Sequence, residues 1–259
     1  MKRLLALAAA AATLVTALPA QAAPVDPAKA LKKQFVPGHG VTISETSASS
    51  APDRRSEVSR ITGSVEFGRS GPAASDITLR SMGKQEDRVR ILSVGGHYYV
   101  RSPLLVHDLP MGKTWVLMDS LKGKPRFSEQ RIAPLAPMVP KSLVEHAKSV
   151  KNGLYRGSLT YEQARAIGGD QAFDYRLTLN SQELPVRFVS SRKSGPGTSW
   201  PTYTSETRLS DWGAEIMIKE PPADEVISSS ELEDEALAEL DALMRDIPNG
   251  SANSLGKIK

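Results

Sequence analysis

The sequence predicts an α+β domain dominated by one antiparallel sheet, and three observations carry that reading. From about Val41 to Lys219, short β-type segments succeed one another between breaks rich in Gly, Pro, Asn, Asp and Ser. Several of them alternate apolar and polar residues, so that one face is dry and the other wet: Val65 and Phe67 oppose polar neighbours, and Ile77 and Leu79 alternate with Thr78 and Arg80. Helical periodicity is confined to short stretches inside this run and one segment beyond it.

The strands expected on this basis are Val41–Ser47, Glu57–Phe67, Asp76–Met82, Arg88–Val94, His97–Arg101, Thr114–Asp119, Leu154–Tyr161, Phe173–Leu179, Leu184–Ser191, Tyr203–Leu209 and Ala214–Lys219. Gly95-Gly96 supplies a two-residue hairpin turn, where both central positions can take positive φ. Ala48–Arg55 reads as a loop, and Ser194–Pro201 as a long hairpin connection. Pro140 suits a first helical turn, and Val139, Leu143, Ala147 and Val150 then share one helical face that should stop before Asn152-Gly153. Glu162–Ile167 adds one helical turn before Gly168-Gly169.

Both ends of the chain differ from this middle. Lys2 and Arg3, the apolar run Leu4–Leu18 and Ala20-Gln21-Ala22 read as a secretory signal over residues 1–22, too short and too soon broken by Pro19 to span a bilayer. The domain proper is expected over residues 23–227. Residues 228–247 read as an acidic amphipathic helix, with Ser230 and Glu233 as a capping box and Leu232, Leu237, Leu240, Leu243, Met244 and Ile247 on one stripe; it should dock on its own domain, the alternative being a partner protein or dimerisation through Leu240, Leu243 and Ile247. Residues 248–259 read as a disordered tail.

Composition narrows the chemistry further. The chain has no cysteine, hence no disulfide, no thiol nucleophile, no thiolate zinc site and no lipobox cysteine for an acyl anchor. Its formal net charge of +4 falls to +2 without Lys2 and Arg3, too little to argue for nucleic acid. His39, His97, His107 and His146 stand far apart with no metal-binding spacing, and no metal or cofactor is expected. Gly68-Arg69-Ser70-Gly71 lacks the register of a nucleophile elbow, and Ser81–Lys84 and Ser190–Lys193 match S-x-x-K without the companion motifs of a β-lactam-type site. Trp115, Trp200 and Trp212 are too scattered for a sugar- or base-stacking platform. No catalytic residue is nominated and no enzyme is expected.

The order of the segments nevertheless resembles a known family. Asp26-Pro27-Ala28-Lys29-Ala30-Leu31, antiparallel strands, Leu109-Pro110-Met111-Gly112-Lys113-Thr114-Trp115 and a Pro/Leu-rich helix follow in turn. Gly153–Tyr161, Phe173–Asn180, Glu183–Arg187, Thr204–Leu209 and Asp211-Trp212-Gly213 before Pro221-Pro222 complete the pattern. Over residues 26–227 the chain is similar to the LppX/LprG lipoproteins of high-GC Gram-positive bacteria, relatives of the LolA and LolB carriers. The resemblance implies a curved antiparallel β half-barrel wrapped around a short helix, with a hydrophobic cavity that holds acyl chains. The chain departs from the family in lacking the cysteine after the signal, so an extracytoplasmic protein, secreted or envelope-associated and not lipid-anchored, is expected.

A carrier also makes physical sense. Burying some 14 methylenes is worth roughly 11 kcal/mol against water and close to nothing against a bilayer, a near-balance that suits transfer. Candidate ligand-lining residues are Tyr98, Val100, Leu104, Leu105, Trp115, Leu117, Val139, Leu143 and Val150, chosen as apolar residues on or beside strands or on the covering helix. The expected partner is a lipid or acylated molecule with transient membrane contact, taken up by a monomer. The alternative is a cell-envelope structural or interaction domain with no ligand, its concavity filled by the chain's own helices.

Overall fold

The computed structural model describes residues 25–51, 54–81, 88–105, 108–193, 195 and 200–232. The signal segment, residues 233–247 of the expected acidic helix and the tail lie outside the described residues. In chain order the elements are α1 (Pro27–Lys33), β1 (His39–Ala51), β2 (Arg54–Gly68), β3 (Gly71–Ser81), β4 (Arg88–Val94), β5 (His97–Arg101), β6 (Trp115–Leu117), α2 (Met138–Glu145), β7 (Ser149–Lys151), β8 (Leu154–Leu159), α3 (Tyr161–Ala166), β9 (Phe173–Leu179), β10 (Pro185–Lys193), β11 (Thr202–Glu215) and β12 (Val226–Ser228). The twelve strands form one open curved sheet in the order β12-β6-β5-β4-β3-β2-β1-β11-β10-β9-β8-β7, antiparallel throughout except for the β12–β6 pair. The expected α+β half-barrel is borne out.

Register places one side of the sheet inward along its whole width. Val41, Ile43 and Glu45 of β1 lie opposite Val65, Gly63 and Ile61 of β2, and the same face continues through Ile77, Ile91, Val100 and Val116 on one side and Leu209, Phe188, Leu177 and Tyr155 on the other. These side chains are buried. Their covering is largely an irregular strap, residues 118–137, whose Met118, Phe127, Ile132 and Leu135 pack onto the sheet, with α1 and α2 beside it. Such a strap carries few backbone ladders of its own, so its polar groups must be met by side chains. That is what the middle of the inner face supplies.

There, between two apolar clusters, runs a polar seam. Both oxygens of the buried Glu45 carboxyl accept, one from Ser128 Oγ and Thr207 Oγ1 at 2.5 Å each, the other from the Glu129 N–H at 2.6 Å. Gln130 Nε2 donates to Ser205 O and Thr207 Oγ1 at 3.0 Å each, while Ser190 Oγ donates to Gln130 Oε1 at 2.6 Å. Ser47 and Ser59 both donate to the Glu129 carboxylate. No buried side-chain polar atom is left without a partner among the described residues.

Several local expectations need correction. Ala48–Ala51 and Arg54-Arg55 extend β1 and β2 and do not form a loop, because they pair with each other and Ala48–Ser50 also pair with β11. Tyr203–Leu209 and Ala214–Lys219 are not two strands: Asp211, at φ 54°, and Gly213, at φ 80°, make an irregularity inside the single long β11, which ends at Glu215. α2 ends at Glu145, and Val150 lies on β7. Asn152-Gly153 turns β7 into β8, with both residues at positive φ, so it closes a hairpin and not a helix. Gly95-Gly96 turns as expected, at φ 62° and 82°.

Candidate functional site

The strap leaves an apolar space uncovered. A cavity of about 490 Å³ lies between Phe127, Leu135 and Tyr98 on the inner side, Ile167 at the end of α3, and the start of β3 at Gly71-Pro72. That volume falls inside the range of roughly 300–1,000 Å³ usual for small-molecule sites. Its mouth is at the exposed Lys122, Gly123, Lys124 and Ser70.

Three interactions hold the wall in place. The Tyr98 hydroxyl donates to the Lys124 carbonyl, tying β5 to the strap. Arg126 lies 5.2 Å over the Tyr98 ring, and Ser75 Oγ donates to Arg126 O at 2.9 Å. Burial pushes the Tyr98 phenol above its usual range, and the nearby guanidinium opposes that shift. α3 starts with a capping box, Thr160 with Gln163, and Ile167 follows it directly, before Gly168 at φ 88° ends the turn.

A second, smaller space of about 190 Å³ sits at the far end of the polar seam, where serine and threonine hydroxyls, Glu129, Arg131 and Arg192 meet the apolar Val58, Ile132 and Phe173. Among the described residues, no group of three His, Cys, Asp or Glu side chains could hold a metal ion, and no helix is long and apolar enough to cross a membrane.

The residues nominated from the sequence do not converge on one place. Tyr98 lines the large cavity. Val100 and Leu105 are fully buried in the cluster formed by β1–β6 and the strap, and Val139 and Leu143 in the cluster formed by α2 and β8–β10. Trp115 and Leu117 point to the opposite side of the sheet, where they pack with Leu92, Tyr99 and Val226. Leu104 and Val150 are exposed, at 45% and 58%. Most of the cavity residues that sequence reasoning missed come from the strap, which has no periodicity to expose it; Gly71, Pro72 and Ile167 come from the start of β3 and the end of α3.

Solved structures similar to the chain include the following three. The mycobacterial lipoprotein LppX from Mycobacterium tuberculosis is 11% identical, over 75% of this chain and 100% of that one, with a TM-score of 0.37. A LolA-superfamily protein from Nitrosomonas europaea is 13% identical over 76% of this chain and 95% of the other, at 0.29. A DUF1329 family protein from Desulfovibrio piger is 11% identical over 75% and 93%, also at 0.29. No family model and no curated protein matches the sequence. At such identities and scores the likeness assigns no residue a role, so the chemistry has to come from the cavity itself.

Proposed function

We propose that the protein is an extracytoplasmic carrier that holds the hydrocarbon part of an amphiphile in the strap cavity, without covalent chemistry. The observation that carries this reading is the cavity of about 490 Å³, walled by Phe127, Leu135, Tyr98 and Ile167 and opening at a polar rim. Apolar walls with a few polar groups at the mouth suit a ligand with one apolar and one polar end. In this reading the seam's serines fasten the strap: their hydroxyls donate to the Glu45 and Glu129 carboxyls or to the Gln130 amide oxygen, and among the described residues no histidine joins them. A binding role without catalysis is therefore the reading proposed, with the nine sequence-nominated residues, Tyr98 apart, serving as core or surface. The secretory signal and the lack of a lipid anchor belong to the same reading, since a freely diffusing monomer can move an acyl chain between membranes.

The test is equilibrium binding of cis-parinaric acid to the mature protein, together with Ala133→Trp, which places an indole in the cavity at a half-buried wall position. Saturable binding of micromolar strength or tighter, weakened at least about tenfold by the substitution at unchanged melting temperature, is expected. No saturable binding, or binding indifferent to the indole, would overturn the carrier reading and leave an interaction domain.

A further inference from the structure

Beside the cavity lies a broad open depression of about 1050 Å³, and the two share Ser70, Ala136 and Pro137 as common wall. The depression is lined by Lys29, Lys32 and Lys33 of α1, Arg69 of the β2–β3 turn and Lys141 of α2, against a single carboxylate, Asp26. That carboxylate is engaged in capping α1, where it accepts from the Lys29 N–H at 3.0 Å. Among the described residues no acid pairs with Lys29, Lys32, Lys33 or Arg69, and Lys141 reaches only Glu145, at 3.9 Å. The five cations are exposed. A local surplus of four positive charges thus sits on a chain whose formal surplus is only two once Lys2 and Arg3 are set aside.

We infer that this depression receives the anionic headgroup of the amphiphile whose hydrocarbon occupies the adjoining cavity, so that the ligand class is a single-molecule anionic lipid. The inference rests on the carrier reading. Its physical basis is continuity: a tail in the cavity leaves its polar end at Ser70 and Pro137, facing Lys29, Lys32, Lys33 and Arg69, with Lys141 beside them. Lys122, Lys124 and Arg126 on the cavity's other rim add charge of the same sign. Clustered cations on a concave wall raise the local concentration of anions and are screened by salt.

The experiment compares an alkyl phosphate with the uncharged alcohol of the same chain length, in the native protein and in the triple variant Lys29→Gln, Lys32→Gln, Lys33→Gln, with Arg69→Gln as a second variant on a different element. At low salt the native protein should hold the phosphate at least about tenfold more tightly than the alcohol, and high salt should erase most of that margin. Both variants should shrink the margin while retaining the alcohol and an unchanged circular-dichroism melt. Equal affinity for the two probes, or a margin that survives neutralising these residues, overturns the inference and leaves the carrier intact. Binding of neither probe removes the carrier reading and the headgroup site together. Binding to phosphate-bearing vesicles without binding of the monomeric alkyl phosphate also overturns it, since the basic face would then serve a membrane surface.

Discussion

Glu45→Gln should change how stability responds to pH, and the polar seam sets both the sign and the size of the effect. The Glu45 carboxyl is buried on β1, and its pKa is raised from 4.5 to about 7, first of all by that burial, with the hydrogen bonds from Ser128, Thr207 and the Glu129 N–H pulling the other way. Between these two values the folded protein binds a proton that the unfolded chain has released. Stability therefore falls as pH rises through this window, and the group's effect levels off below 4.5 and above about 7. At 1.36 kcal/mol for each tenfold change in proton affinity, the full swing is about 3 kcal/mol. A glutamine keeps one acceptor for the Glu129 N–H, the Ser128 and Thr207 hydroxyls can rotate to receive its amide, and it cannot ionise. Urea unfolding of both proteins at a series of pH values from 4 to 9 is the measurement. The native-minus-variant stability should drop by about 3 kcal/mol across the window, which favours the variant most on the alkaline side. Parallel profiles would refute the claim that Glu45 is folded in its neutral form at low pH.

Two further outcomes follow from the packing. Gly63→Ala on β2 should unfold the protein or cost several kcal/mol, because its Cβ would lie 2.0 Å from Asp76 O and 2.7 Å from Ile77 Cα of β3, backbone atoms that cannot move without breaking the ladder; a thermal melt within a degree or two of native would contradict this. Truncation after Pro222, which removes β12 together with the buried Ile227 and Leu232, should lower the melting temperature by well over several degrees while the protein stays monomeric, whereas truncation after Leu232 isolates whatever residues 233–259 contribute; a dimer lost in either case would redirect the C-terminal segment to self-association.

Much of the fold was legible because strands announce themselves by alternation. β4, β5 and β9 have the bounds their sequence pattern suggests, and the inward set Val65, Phe67, Ile77 and Leu79 is the set that alternation selects. What misled was local chemistry outweighed by pairing. Ser- and Ala-rich Ala48–Ala51 has weak strand propensity on its own, yet β2 holds it on one flank and β11 on the other. Asn152-Gly153 is equally suited to ending a helix and to turning a hairpin, and only the three residues before it, paired with β8, decide for the hairpin. β12 is three residues long and pairs in parallel with a strand over a hundred positions away, a contact that no local pattern encodes.

The candidate site was less legible for a related reason. Apolar residues on strands belong to one face or the other, and a single-residue step decides which: Tyr98 and Val100 face the strap, while Tyr99, between them, pairs across to Leu117 and shares the outer cluster with Trp115. The covering element carries no such code. Residues 118–137 have neither the helical nor the strand period, and what fixes them is a handful of side-chain bonds from Glu45, Ser47, Ser59 and Ser75.

The strap also determines what kind of selectivity the cavity can have. By placing Met118, Phe127, Ile132 and Leu135 over the sheet, it spends most of the inner face on the protein's own core and leaves about 490 Å³ at one end. Within that space each methylene buried is worth about 0.8 kcal/mol against water, but a membrane offers the same, so chain length alone discriminates weakly between keeping a ligand and surrendering it. In the proposed carrier, discrimination would then come from the polar end, from charge fixed on α1, α2 and the β2–β3 turn, where salt acts most strongly. In the proposed carrier the strap would limit how much hydrocarbon is shielded, and the basic depression would select among amphiphiles.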